Sequence, residues 1–578
     1  MNTIEIENKE STVDLVARRS AQRDANVIEH KEMVEYLMSE PRVNAPDFHI
    51  VLISLYYYGS IPVHTLGSLL RSKGYKVSYI FFKDYMADGM GLPTDQEYHE
   101  LTKTLDRLQP DLVGLSLMST FAPVARQITK LIHKLDIPLV WGGSHPVSEA
   151  EDSIKYSDIV CVGEGEYPIL KLAEALSRGS DYTKIQGLWT SRNDVITRNG
   201  LNPLLQNLDL IPPPEFGDDD KYYIENNQLY YGEPHFTSDL SWYNFMSGRG
   251  CPYSCTFCIN SFLNERFKGK GNLLRRRSVD NVIEELVKAR DQFPKLSKIS
   301  ANDEVFALGK DWLYEFCSKY KKEINIPFHS DLFPSRIDDE TIKLLSSIKM
   351  KTVSIGIQSG CEQTRKDLYK RRTPDKMLIN AANIFKKYKV FPSYDFIFDN
   401  PLESYNELEQ TLHFILKLPR PFRINAYSMQ HHPSTALTQT LLKEGVISDD
   451  DVDGATLKGM DHWHVNMWHH SKNEDLYYIH ALVKIYSCTV AIATPYFSVM
   501  YAIYPKWFFR LLVNNPAILK RNPYVLSTLL VVGNVISNIG RGLSALLSGR
   551  WKTIYHRYFS GHKATRQRYT STKERIYQ

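Results

Sequence analysis

Three cysteines spaced C-x3-C-x2-C lie on one glycine-rich stretch, Gly248-Arg249-Gly250-Cys251-Pro252-Tyr253-Ser254-Cys255-Thr256-Phe257-Cys258. Whatever fold the chain adopts must present these thiols on a short loop. Three thiolates so placed can hold three corners of a cubane 4Fe-4S cluster and leave the fourth iron without a protein ligand, open to a small molecule. A structural zinc asks for four ligands, and no second C-x2-C or Cys/His pair stands nearby. Disulfides fit no better: three close cysteines leave one thiol over, and residues 1–47 show no apolar secretory signal.

The remaining cysteines, Cys161, Cys317, Cys361 and Cys488, are scattered, which suits a reducing, cytoplasmic setting. At 578 residues the chain has room for three or four units of the usual size. A net charge of +4 gives no reason to expect nucleic acid as a partner. The charge is uneven, however: from Arg541 to Gln578 nine Lys or Arg face the single Glu574.

Residues 1–47 read as a polar, helical N-terminal extension. From residue 48 to 195 short apolar runs alternate with helical stretches: Phe48-Leu55, Lys76-Phe82, Asp111-Met118, Pro138-Trp141 and Asp158-Val162 as strands, with helices between them. That alternation predicts an α/β unit with a doubly wound parallel sheet, in which a ligand lies beyond the carboxyl ends of the strands. Small residues fall at those ends: Ser116, Ser119 and Thr120 after the third strand, Gly142 and Gly143 before His145 after the fourth, and Gly163-Glu164-Gly165-Glu166 after the fifth. Residues 196–238, with Ile211-Pro212-Pro213-Pro214, read as a linker. From residue 239 to 435 six strand-helix repeats predict a partial (β/α)6 barrel whose site residues belong at strand ends. Those ends carry Asn302-Asp303-Glu304, His329-Ser330-Asp331 and Gly356-Ile357-Gln358-Ser359-Gly360.

With Phe257 just before its third cysteine, the cysteine motif resembles that of the radical S-adenosylmethionine (SAM) superfamily. The resemblance implies a cluster whose open iron binds SAM and cleaves it to methionine and a 5'-deoxyadenosyl radical. It places Asn302, Asp303 and Glu304 beside the SAM amino group and Gln358 and Ser359 beside the ribose. Phe257 and Ser330 fall in the same pocket, and the Lys370-Arg371-Arg372 run offers Arg371 to the carboxylate. Many relatives have Glu at Gln358 and Gly at Asn400. The SLMST, GGSHP and GEGE runs of residues 48–195 resemble the cobalamin-binding, Rossmann-like domain that precedes many radical SAM barrels, and put Ser116, Ser119, Thr120, Gly142 and Gly143 at cobalamin. The D-x-H-x-x-G run of cobalt-ligating relatives is only partly present: His64 and Gly67 stand at the right spacing, but Pro62 replaces the aspartate, so His64 is expected as a helix-surface residue rather than a ligand.

Residues 436–578 are expected to be mainly helical. Asp461-His462-Trp463-His464 and Trp468-His469-His470 read as packing or surface groups. Two uncharged runs, Ile485 to Tyr504 and Asn522 to Gly540, approach membrane-span length, but the intervening Lys506, Arg510, Lys520 and Arg521 favour helices that pack on the barrel or lie at a membrane interface. The family resemblance implies methylation of an unactivated carbon, with methylcobalamin as the methyl carrier and a flavodoxin or ferredoxin as electron donor. Oxidative ring closure, as in relatives similar to the anaerobic magnesium-protoporphyrin ester cyclase, uses the same cofactors and stays open. So does a cobalamin- or redox-sensing regulator. The substrate is expected to be a small molecule, and the apolar C-terminal runs suggest a hydrophobic or lipid one with peripheral membrane contact.

Overall fold

The computed structural model describes residues 27–39, 47–84, 92–217, 219–232, 241–452, 489–494 and 497–502. The first domain is built on β1 (His49–Leu55), β2 (Lys76–Phe82), β3 (Leu112–Ser116), β4 (Leu139–Gly142), β5 (Ile159–Cys161), β6 (Leu188–Arg192), β7 (Val195–Arg198), β8 (Lys221–Glu225) and β9 (Gln228–Tyr231). These form one sheet in the order β7-β6-β5-β4-β3-β1-β2-β8-β9, parallel from β5 to β8 and closed at each edge by antiparallel pairs. All seven residues of β1 are buried, as a central parallel strand covered on both faces must be. Its side chains alternate between two apolar layers. Ile50 and Leu52 pack with the helices Ile61–Ser72 and Glu166–Ser177, while Val51 and Ile53 pack with Asp95–Leu108 and Ala122–His133. Met33 and Leu37 of the helix at 27–38 are buried in the first of these layers.

The connector is more than a linker. Its residues Lys221–Glu225 pair with β2 as a further parallel strand, and β9 returns along β8. The turn between them is Asn226-Asn227, with φ of 51° and 63°. A two-residue hairpin turn needs positive φ at both positions, and Asn tolerates it.

The second domain carries β10 (Trp242–Phe245), β11 (Gly248–Arg249), β12 (Arg275–Arg276), β13 (Lys298–Ala301), β14 (Phe328–Asp331), β15 (Met350–Gln358), β16 (Phe391–Phe398) and β17 (Arg423–Ser428). Six of these make a parallel sheet in the order β10-β13-β14-β15-β16-β17, the expected partial barrel, and β11 pairs with β12 as a separate hairpin. In β15 and β16 Val353, Ile355, Tyr394 and Phe396 are buried in the core formed with the surrounding helices, so Ser354, Gly356, Ser393 and Asp395 face the opposite side, the barrel interior.

Past the barrel a helix spans Ala436–Lys443, and β18 (Thr489–Thr494) pairs with β19 (Phe497–Ala502). The expected helix across the uncharged run from Ile485 is therefore corrected, over residues 489–494 and 497–502, to a pair of antiparallel strands. Its Thr, Val, Ile, Tyr and Phe content favours extended chain. Among the described residues no helix is long and apolar enough to cross a membrane. The His- and Trp-dense stretch at 461–470, the run at 522–540 and the basic tail lie outside the described residues.

Candidate functional site

The cysteine loop hangs from the β11–β12 hairpin, where Gly248 pairs with Arg276 and Arg249 with Arg275. Gly250 has φ of 91°, and a Cβ there would stand 2.2 Å from the Leu273 carbonyl oxygen, so only glycine fits this crossing. Asp303 braces the loop from below. Its carboxylate accepts from the Ser247 amide at 2.6 Å, the Ser247 hydroxyl and the Gly248 amide at 3.3 Å, with Arg276 Nη2 at 3.5 Å. Burial pushes the Asp303 carboxyl up to about 6, against the pull of these donors. Asn264 donates to the Cys251 carbonyl at 2.9 Å, and the Cys258 amide donates to the Cys255 carbonyl at 3.0 Å. Cys255 is buried, and Cys251 and Cys258 are partly exposed.

Arg371 reaches this loop from the segment after β15. Its Nη1 lies 3.6 Å from Cys255 Sγ, its Nη2 donates to the Gly356 carbonyl at 2.6 Å, and its guanidinium sits 4.1 Å over the Phe333 ring, which itself stacks on Tyr253 of the loop. Its Nε is buried with no partner among the described residues, a donor that a carboxylate at the cluster would satisfy. Gln358 ends β15 half-buried with φ of 76°, a conformation a non-glycine residue holds only when its surroundings impose it.

The other predicted SAM contacts are distributed unevenly. Glu304 opens on the cavity described below, and Asn302 is exposed, its Oδ1 accepting from Ser300 at 3.2 Å. Phe257 packs edge-on to Tyr369 at 5.0 Å. Three residues are engaged by the protein itself. Asp303 holds the loop, buried Ser330 donates to the Asp331 carbonyl at 3.2 Å, and Ser359 donates to Glu403 Oε1 at 2.7 Å while accepting from the Cys361 amide. Burial pushes Glu403 up to about 7. A carboxyl raised above its unfolded value lends stability below the unfolded pKa and loses it as pH rises through the folded one. Replacing Glu403 with Gln is therefore expected to stabilise the fold at pH 8 by about 1–3 kcal/mol and to change little at pH 4.5, as thermal melts across pH would show.

Between the domains lies a cavity of about 400 Å³. Ser116, Gly142, Gly143 and the Gly163–Glu166 turn line its first-domain wall, and Met246, Arg249, Gly250 and Asn264 line the barrel side. A Cβ on Gly142 would meet nothing within 4 Å, whereas one on Gly143, at φ 104°, would strike the Leu117 carbonyl oxygen at 2.6 Å. A ligand can thus approach the backbone at the first glycine, and the turn itself demands the second. Pro212, Pro213 and Pro214 of the connector border the same space.

Ser119 and Thr120 do not line this cavity. They are buried at the start of the following helix, with the Ser119 hydroxyl 3.1 Å from His145 Nδ1. Burial pushes His145 down to about 4, so it is neutral near pH 7. The expected surface position of His64 is corrected. It is fully buried, with Nδ1 2.8 Å from the Glu215 carbonyl, Nε2 2.9 Å from the Tyr58 carbonyl and its ring 5.2 Å from that of Phe81. Both nitrogens are occupied by backbone, which leaves neither for cobalt.

Several residues of this site were not anticipated. Arg275, Arg276 and Arg277 are consecutive yet serve three purposes. Arg275 pairs with Glu164 of the first domain at 2.8 Å, Arg276 donates to the Leu308 carbonyl at 2.5 Å and covers Trp312, and Arg277 pairs with Glu285 at 2.5 Å. Arg249 joins Glu164 at 2.9 Å and also Glu166. Burial opposes the charge on Glu164, but Arg249 and Arg275 outweigh it and hold the carboxyl well below the usual range. Fully buried Arg365 donates to the Ser359 and Thr373 carbonyls and to Asp375, fixing the segment that carries Arg371. The run of three arginines was the readable signal; their partners were not.

The donor set fits the implied groups. Three loop thiols with a guanidinium at one sulfur suit a cluster, and an apolar cavity floored by strand-end glycines suits a large flat cofactor. Among the described residues no three Cys, His, Asp or Glu side chains converge tightly enough for one metal ion, and a cubane spaces its ligand sulfurs more widely than a single zinc does.

Comparison with known proteins agrees. The radical SAM superfamily profile matches residues 245–415, and the B12 binding domain profile matches residues 48–173. An uncharacterised methyltransferase of Pyrococcus horikoshii is 27% identical over 337 residues, covering 57% of this chain and 69% of the relative. Cytidylyl-2-hydroxyethylphosphonate methyltransferase of Streptomyces wedmorensis is 24% identical, over 53% of this chain and 62% of the relative. The radical SAM methyltransferase TsrM of Kitasatospora setae, solved with cobalamin and a 4Fe-4S cluster bound, shares the fold with a TM-score of 0.56 at 17% identity, over 69% of this chain and 79% of that one. A B12-binding domain joined to a cluster-bearing barrel defines a cobalamin-dependent radical SAM enzyme. Residues 245–415 thus form a radical SAM domain and residues 48–173 a B12-binding domain, and together they imply a 4Fe-4S cluster, SAM and cobalamin as cofactors.

Proposed function

We propose that the protein is a methyltransferase that acts on a small molecule. The observation that carries this is the shared cavity: the strand ends of the B12-binding domain face Gly248, Arg249 and Gly250, which lead into the cysteine loop, across one space. When bound, the cluster with SAM supplies a carbon radical and cobalamin supplies a transferable methyl group. The chain's own part is binding, orientation and exclusion of water. Cys251, Cys255 and Cys258 hold the cluster. Arg371 is placed for the SAM carboxylate, Glu304 for its amine and Gln358 for its ribose. Ser116, Gly142 and Gly143 let a flat cofactor lie against backbone, and Pro212–Pro214 border its side of the cavity. Ser119, Thr120, Asp303, Ser330 and Ser359 support these contacts from behind.

The interior faces of β14, β16 and β17 present His329, Asp331, Asp395 and Asn425, with Asn425 donating to Asp395 at 2.8 Å. Such a wall supports a substrate with polar groups near its reacting carbon rather than a wholly apolar one. A cytoplasmic setting, with a flavodoxin or ferredoxin as electron donor, belongs to the same proposal. The test is anaerobic reconstitution with cluster, cobalamin and SAM, supplied with the small-molecule fraction of cell extract. Mass spectrometry is expected to find both 5'-deoxyadenosine and S-adenosylhomocysteine. Deoxyadenosine without S-adenosylhomocysteine would replace methyl transfer with oxidation or ring closure.

A further inference from the structure

We infer that Glu164 and Glu166 are positioning residues that couple cofactor binding in the first domain to the order of the cysteine loop; this rests on the cavity being the cobalamin site. The two acids belong to the turn after β5 and the first position of the helix Glu166–Ser177, and both line the cavity. Their partners belong to the other domain. Glu164 takes Arg249 Nη1 on one oxygen at 2.9 Å and Arg275 Nη1 on the other at 2.8 Å, and Glu166 takes Arg249 Nη2. Arg249 and Arg275 face each other across the β11–β12 hairpin, and Arg249 lies two residues before Cys251. One acid turn therefore grips both strands that carry the loop.

The grip is reinforced on either side. Arg275 Nη1 also donates to the Leu205 carbonyl at 3.0 Å, the Leu205 amide donates to Glu164 at 3.2 Å, and Arg266 of the helix after Cys258 points at the Val162 carbonyl at 3.4 Å. The Arg275 side chain is only 6% exposed against 21% for Glu164, and that of Glu166 9% against 28% for Arg249. Losing the acid that answers Arg275, or the arginine that answers Glu166, is costly because the charge left behind stays buried. A cofactor that orders the Gly163–Glu166 turn therefore orders the hairpin, and by thermodynamic reciprocity a cluster that orders the hairpin tightens the cofactor.

The test measures the dissociation constant of hydroxocobalamin by absorbance titration of the full chain, once with its cluster and once iron-free. The wild-type protein is expected to bind about fivefold or more tightly when the cluster is present, the range of ordinary site-to-site coupling. In the Glu164→Gln, Glu166→Gln double variant that ratio is expected to fall to about one, and in Glu166→Asp, which keeps the charge, to lie between. Should the double variant fold poorly by circular dichroism, Glu166→Gln alone, which leaves Glu164 in place, is expected to halve the wild-type effect on a logarithmic scale. A wild-type ratio of one, or an unchanged ratio in the variants, would overturn the coupling while leaving the cobalamin site intact. Failure of either wild-type form to bind would overturn both.

Discussion

Cys255→Ala is expected to leave the protein without iron and without SAM cleavage. Cys255 is the buried member of the triplet and the one whose sulfur Arg371 approaches at 3.6 Å. Two remaining thiols cannot retain a cubane that must also keep one iron open, so iron per chain should drop from about four to background. The absorbance of the cluster and the yield of 5'-deoxyadenosine should vanish with it. Cys317→Ala is the control. That thiol is buried in the barrel's outer core on the helix Lys310–Glu323, outside the cysteine loop. Iron retained at wild-type level in Cys255→Ala would refute the cluster assignment outright.

The second large effect is expected at a residue that never touches a cysteine. Asp303→Ala removes the acceptor shared by Ser247, Gly248 and Arg276, and leaves a guanidinium and two amides inside the barrel with no carboxylate to answer them. Breaking a buried pair from one side costs about 3–5 kcal/mol. The local consequence is a slack loop, so the variant should bind iron poorly although all three cysteines are present, and should still bind hydroxocobalamin. A role at the SAM amino group predicts a different result: full iron content with a raised KM for SAM. Iron quantification beside a SAM titration separates the two, and full iron with weakened SAM would return Asp303 to the cofactor pocket.

Much of the architecture was legible because it is periodic. Alternating apolar runs fixed β1 to β5 and the six barrel strands, and the helix Tyr405–Lys417 begins at Ser404, whose side chain caps it. The C-x3-C-x2-C spacing and the strand-end glycines Gly142 and Gly143 were legible as candidate sites because each is a local demand on a few neighbouring residues. The strand pair β8–β9 escaped notice since its partner β2 lies more than a hundred residues earlier, and proline-rich chain just before it looked like a plain connection. The 485–504 run was read as helix from its lack of charge, which measures apolarity and not period. His64 was misplaced for a related reason: sequence shows which side of a helix a residue occupies, not that Glu215 and Phe216 come back to cover it.

The sequence by itself determined the chemistry this protein is equipped for, because three thiols on one loop and small residues at strand ends are properties of adjacent residues. Tertiary structure alone decided how each polar side chain near those sites is employed. Asp303 and Ser359 became supports, and Arg371 kept a buried donor with no partner among the described residues beside the cysteine loop. Glu164 met Arg249 and Arg275 from across a domain boundary. The physical reason is that a side chain's role follows from which partners its buried atoms find, and those partners come from segments that only folding brings together.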